Sequence, residues 1–110
     1  MVYSPRVDEL PWLTFDLFEG RVGEGFDISL PDGPAIRTEL VEAVETGVPG
    51  GTGPDGQQRN QFSLVFRGPM QPVLPQSIVG VDHADLGHHD LFVVPIGPDG
   101  SGMRYQAVFA

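Results

Sequence analysis

The sequence has no cysteine, no lysine and no long apolar run. Without cysteine, neither a disulfide nor a thiolate metal site can hold the fold, so a hydrophobic core must do so. No stretch approaches the roughly 20 apolar residues that span a bilayer, and MVYSPRVDEL has no basic region followed by an apolar one. We therefore expect neither membrane insertion nor an export signal, with the cytoplasm or a larger assembly as the default location.

Positive charge is also scarce. Six arginines stand against fifteen acidic side chains, which gives a formal net charge of −9. A surface of this sign repels phosphate groups and anionic lipids at long range. Nucleic acid and membrane surfaces are therefore unexpected partners, and we expect a protein partner or self-association.

Catalytic motifs are missing as well. None of the five serines lies in a GxSxG motif, as a hydrolase nucleophile would. Glycosidases use a pair of carboxylates, but with fifteen acidic residues many pairs have a suitable spacing, so the spacing does not indicate a glycosidase. The glycine-rich stretch 47–60 has no GKS or GKT and no helical pattern after it, which excludes a phosphate-binding loop. We expect no enzyme activity and no cofactor.

The residues that are present predict an all-β fold. A chain of 110 residues suits one core, and its 15 glycines and 11 prolines indicate many short elements. GFDISL and MRYQAVFA alternate apolar and polar residues, while the apolar run DLFVVPI is typical of a strand buried on both faces. We expect a single domain over 1–110, a compact six-stranded antiparallel barrel or sandwich. Its strands are predicted near 25–30, 35–45, 61–67, 76–83, 90–96 and 103–109.

Two segments do not show a clear strand pattern. Residues 36–45 fit a helical as well as a strand period, and we favour a strand with a bulge where Leu40 and Val41 are adjacent, because it follows the turn PDGP. Residues 47–60, GVPGGTGPDGQQRN, predict a flexible surface loop.

One short helix is predicted near 14–20, capped by Thr14. Trp12, Phe15 and Phe18 would then cover one end of the β core. Alternatively, Trp12 lies on a surface that contacts a partner.

Residues 81–90, VDHADLGHHD, contain all three histidines. His83, Asp85, His88 and His89 are possible ligands of a divalent cation, but their spacing matches neither HExxH nor a calcium loop. DLG between two apolar strands instead predicts a hairpin turn with solvent-facing polar side chains, in which Asp85 bonds to the backbone and Gly87 has a positive φ. We favour the turn, with a metal site and a catalytic site as alternatives.

Four spaced motifs carry a family resemblance from about Leu13 onward: LTFDLFEGRVGEGFDI, FSLVFRGP, LPQSIVGVDHADLG and LFVVPIGPDGSGMRYQAVFA. In this order they resemble a family of small bacterial proteins of unknown function that share an FxLxFxGP strand, an LPQ turn and an LFxVPxG to YxAxF hairpin. Some relatives are encoded near proteins similar to phage tail collars. The resemblance implies an all-β domain with a role in a larger assembly and transfers no site residue.

Two functions are consistent with these observations. The favoured one is a non-catalytic structural or adaptor protein that acts through protein–protein contacts, in a phage-tail-like or surface assembly. The alternative is a small-molecule or carbohydrate-binding module, in which Trp12 and Tyr105 at the open end of a barrel stack on a ligand.

Overall fold

The computed structural model describes residues 13–30, 33–52, 56, 58–71 and 73–109. Within them, the strands form a closed antiparallel barrel in the order β1-β2-β3-β6-β5-β4. The predicted all-β barrel is therefore confirmed. The elements are α1 Asp16–Glu19, β1 Gly25–Ser29, β2 Ala35–Thr52, β3 Gln58–Gly68, β4 Ser77–His83, β5 Gly87–Pro98 and β6 Met103–Phe109.

The barrel consists of two three-stranded halves. Strands β1, β2 and β3 pair consecutively, and so do β4, β5 and β6. The halves join at two seams, where β1 pairs with β4 and β3 pairs with β6. Every strand therefore has a partner on both sides over part of its length, and the ring has no open edge there.

The core lies inside the ring because alternate residues of each strand point inward. α1 covers the end of the barrel where β6 finishes, and Phe18 packs against the rings of Phe26, Phe62 and Phe109. The expected covering of one end is confirmed for Phe15 and Phe18. The largest fully buried side chains are Tyr105, Phe26, Phe62, Phe66, Ile28, Leu40, Leu64, Val79 and Val93.

The helix is shorter than the predicted 14–20. It spans Asp16–Glu19 with Phe15 as its N-cap residue, and the hydroxyl of Thr14 donates to the carboxylate of Asp16 instead of accepting a hydrogen bond from a backbone N–H of the first turn. No helix in the described ranges is both long enough and apolar enough to cross a membrane.

The ambiguous segment 36–45 is a strand, as favoured. β2 shifts register against β3 between Leu40 and Glu42, so the bulge lies at Val41 as predicted. Bulges of this kind bend one strand around its neighbour and increase the twist, which helps a sheet close into a ring.

Both strands of the β2–β3 hairpin continue into the range predicted as a loop. Residues 46–52 of β2 and 58–61 of β3 form a two-stranded extension, which we name the hairpin arm. It reaches past the last pair between β3 and β6, Phe62 with Phe109. Arg59 holds the base of the arm, because its guanidinium lies over both of these rings.

Candidate functional site

The turn of the β4–β5 hairpin is built around His83. His83 pairs with Gly87, so residues 84–86 form the loop. Nδ1 of His83 accepts hydrogen bonds from the backbone N–H groups of Asp85 and Leu86, at 3.0 and 3.2 Å. Gly87 has a φ of 76°, which residues with a Cβ rarely adopt. The predicted hairpin and the positive φ are confirmed, but the bond to the turn backbone comes from His83 and not from Asp85.

A charged network joins this turn to the segment before β1. Because Nδ1 of His83 accepts, the proton of the neutral ring lies on Nε2, which donates to Glu24 at 2.7 Å. Arg21 donates to Glu24 at 3.3 Å and to Asp85 at 3.1 Å. The His83 side chain is only 6% exposed, and its ring lies 4.5 Å from that of Phe26. The expectation that His83 faces solvent is wrong, because the sequence does not show that Phe26 packs beneath it.

Three possible metal ligands converge at this turn. Among the described residues, Glu24, His83 and Asp85 place one ligand atom each within 4.8 Å of the others. Neither nitrogen of His83 offers a free lone pair, since Nδ1 accepts two N–H groups and Nε2 carries the donated proton. Arg21 forms an ion pair with each of the two carboxylates and so offsets one of their two negative charges. This geometry favours a structural ion-pair network over a cation site.

His88 and His89 lie outside that group and make local contacts. His89 donates from Nε2 to a carbonyl oxygen of the turn at 2.7 Å. His88 lies on the outer face of β5, where its two nitrogens donate to Asp82 and Asp90 at 2.8 and 3.0 Å. A Cβ atom at Gly80 would come within 2.7 Å of the His88 ring, so the absence of a side chain at Gly80 leaves room for this ring on the barrel surface.

The hydrogen bond to Asp82, followed by that to Asp90, raises the pKa of His88 above its ordinary 6.5. Because the folded pKa is the higher one, the protonated ring stabilises the fold fully below the unfolded pKa, and this contribution is lost as the pH rises through the folded pKa. We expect an NMR titration to show the raised pKa, and Asp82→Asn to lower it more than Asp90→Asn. His88→Gln should remove this part of the pH dependence of Tm. An identical pKa in the parent and in both aspartate variants would contradict this assignment.

Of Trp12 and Tyr105, the two aromatic residues predicted to contact a ligand, the structure describes only Tyr105. Trp12 lies outside the described residues. Tyr105 has no exposed surface, and its hydroxyl accepts a hydrogen bond from the backbone N–H of Leu74 at 2.9 Å. The placement of Tyr105 at an open end of the barrel is wrong, because its ring points inward and Leu74 packs against it from the β3–β4 connection.

A surface cavity of about 450 Å³ lies beside β1, β2 and β3. Its two arginines are already paired, Arg37 with Asp27 at 3.1 Å and Arg67 with Asp99 at 3.2 Å. None of its described lining residues is aromatic. The cavity therefore offers no ring for stacking on a sugar.

An uncharged face covers the outside of four neighbouring strands. Gln106 is paired with Val65 on one side and with Val94 on the other. Ile78 is paired with Phe92, which lies two residues before Val94 on the same side of β5. We define the uncharged face as Ile78 of β4, Phe92 and Val94 of β5, and Gln106 and Val108 of β6, with Val65 of β3, which is only 4% exposed, at its margin.

The outward direction of these side chains is unusual for a barrel in water, where the outer side of an antiparallel sheet is normally polar. Ile78 is 62% exposed, Phe92 51% and Val108 66%. Charged residues border the face, namely Glu42, which is paired with Val65, and Arg67, Asp90 and Arg104 along its own strands. An apolar centre with a charged rim is typical of a surface that binds another protein.

The prediction of a strand at DLFVVPI is confirmed, but the prediction that both of its faces are buried is wrong. Leu91 and Val93 point into the core, whereas Phe92 between them points outward and is half exposed. Sequence reasoning missed the uncharged face because it depends on which strands are neighbours in the ring. The continuous apolar run in β5 is the one local signal for it.

No curated protein and no solved structure matches this chain. A family described as a domain of unknown function, DUF6916, matches residues 13–109. The match covers the helix and all the strands described above, so the chain belongs to the DUF6916 family.

Proposed function

We propose that this protein is a non-catalytic structural or adaptor protein that acts through protein–protein contacts. The uncharged face is the observation that carries the proposal. Single exposed apolar residues are common on protein surfaces, but a contiguous set with a charged rim is typical of binding sites. A contiguous exposed apolar patch promotes association unless a partner covers it.

The hairpin arm adds a second contact element. Val48 within it is 50% exposed, and among the described residues the strand pairing of the arm is between β2 and β3. An isolated two-stranded ribbon is marginally stable in water, so an arm of this kind gains stability when it lies against another protein.

The titratable groups also support a non-catalytic role. Both nitrogens of His83 and of His88 are engaged with neighbouring groups, which leaves neither ring poised to accept a proton from a substrate. A phage-tail-like or surface assembly is the more specific form of this proposal, and it rests on the motif resemblance, which implies relatives encoded near proteins similar to phage tail collars.

Gel filtration of the protein alone, and mixed with each protein encoded beside it, tests the proposed function. We expect a complex, with itself or with one of these proteins, that Phe92→Asp weakens. Val22→Asp is the matched control, since Val22 is 50% exposed and lies outside the face. A protein that stays monomeric and binds none of the neighbouring proteins would remove the main support for an adaptor role.

A further inference from the structure

Charge is distributed unevenly over this barrel. Fifteen acidic and six basic side chains make two copies of the chain repel each other through most of their surfaces. No residue of the uncharged face carries a formal charge. The centre of the face, at Phe92, Val94 and Gln106, is therefore a surface on which two copies can meet without bringing their carboxylates together, since Glu42 lies beyond Val65 at one margin.

The uncharged surface continues toward the hairpin arm. Ser63 of β3 is paired with Val108 on one side and with Val44 of β2 on the other. Val44 is 41% exposed, so an apolar group lies in this row on β2 as well. This row of uncharged side chains crosses β2, β3 and β6, while in the neighbouring row the carboxylate of Glu42 lies beside Val65 and limits the uncharged surface on β2. A broad outer surface of this kind suits a protein partner, because small molecules bind in concave sites.

The composition of β5 gives an independent reason for a covering partner. Strands that are buried on both faces carry nearly continuous apolar runs, and DLFVVPI is such a run. In the isolated barrel, Leu91 and Val93 are buried while Phe92 remains half exposed. When a partner covers the uncharged face, both sides of β5 are buried, as its composition requires.

We infer that a second copy of this chain covers the uncharged face across a two-fold axis, an inference that rests on the proposed function. A two-fold interface brings the same patch of both copies together, so the patch must complement itself. Apolar side chains meet this requirement, and the amide of Gln106 offers both a donor and an acceptor to the same group of the other copy. The charged rim stays at the edge, in contact with water.

Light scattering coupled to gel filtration over a range of protein concentrations tests this inference. We expect a dimer at micromolar concentrations. Phe92→Asp buries a carboxylate at the interface and should raise the dimer Kd by about a hundredfold or more. Val108→Asp is a second variant on another strand, in case Phe92→Asp disturbs folding. Val22→Asp adds the same charge at an equally exposed site outside the face and should change Kd by no more than about twofold.

The absence of cysteine allows a direct test of the two-fold arrangement. Gln106 lies near the middle of the face, so the same residue of two copies comes close to the axis. Gln106→Cys should be linked into a covalent dimer by a short bis-maleimide crosslinker, because two sheets packed face to face lie about 10 Å apart, beyond the roughly 7 Å between Cα atoms that a disulfide allows. Val22→Cys, treated in the same way, should remain a monomer under denaturing conditions.

The outcomes separate this inference from the proposed function. A parent protein that is monomeric at every concentration overturns the inference, and so does a dimer that both Phe92→Asp and Val108→Asp leave intact. If the monomeric protein binds a neighbouring protein through the face, or if the dimer uses another surface, the adaptor role still stands. A protein that neither dimerises nor binds a neighbouring protein defeats both.

Discussion

Phe18→Ala is expected to lower the free energy of unfolding by about 3 to 5 kcal/mol. Phe18 is 2% exposed and is the one fully buried residue of α1. Its ring lies 6.1 to 6.5 Å from those of Phe26, Phe62 and Phe109, so its removal takes one ring from the middle of an aromatic cluster. A helix of four residues is not stable by itself, so without Phe18 only the partly buried Leu17 of α1 would hold it against the core.

Denaturant unfolding, followed by tryptophan fluorescence and by circular dichroism, measures this change. Val22→Ala is the control, since Val22 is half exposed in the turn after α1 and should change stability by less than about 0.5 kcal/mol. A loss below about 1 kcal/mol for Phe18→Ala would show that α1 is not part of the cooperative core.

His83→Ala is expected to cost about 2 to 3 kcal/mol, far more than a surface histidine would. The substitution removes a ring that packs on Phe26, the acceptor for two N–H groups of the turn, and the donor to Glu24. His83→Asn is the matched variant, because its side-chain oxygen can accept from the turn as Nδ1 does. We expect Asn to restore part of the loss and not all of it, since the contact with Glu24 stays broken.

Thermal unfolding of the parent and both variants, with and without micromolar Zn²⁺, measures these differences. A ligand that binds only the folded state raises Tm. If Zn²⁺ raised the Tm of the parent and not that of His83→Asn, the ion-pair interpretation of this turn would be wrong. Equal stability of the parent and His83→Ala would show that the ring does not hold the turn.

The strands could be predicted from sequence because their signal is local. Alternation in MRYQAVFA predicted 103–109, and β6 spans Met103–Phe109. Alternation places Tyr105 on the same side of β6 as Ala107 and Phe109, but it does not show whether this part of the strand lies inside the barrel or at an open end, where Tyr105 was placed although it is fully buried. The position along the barrel depends on the neighbouring strands, which come from distant parts of the sequence.

The hairpin arm could not be predicted because its sequence has loop chemistry. GVPGG contains the residues that interrupt most strands, yet Pro49 pairs with Asn60, and Thr52 with Gln58. The register shifts on both sides of Pro49, and a two-stranded ribbon leaves one side of each strand without a partner, so a residue without an N–H is tolerated there. Pairing with β3 thus outweighs local preference.

The candidate site was predictable only in part. The hairpin turn and Gly87 follow from local turn chemistry. The role of His83 does not, because Glu24 and Arg21 reach the turn from the segment before β1, far away in the sequence.

Ring closure also governs how fast this chain folds. Each three-stranded half can form from neighbouring segments, but the seams need partners from opposite halves of the sequence, such as Ile28 with Val81. Chains dominated by such distant pairs fold in milliseconds to seconds, because loop closure costs entropy before the contacts repay it. Until the seams form, β1 and β4 present open edges that can pair with other chains. The chain is therefore most exposed to aggregation just before the barrel closes, and least exposed once every strand has found its neighbours.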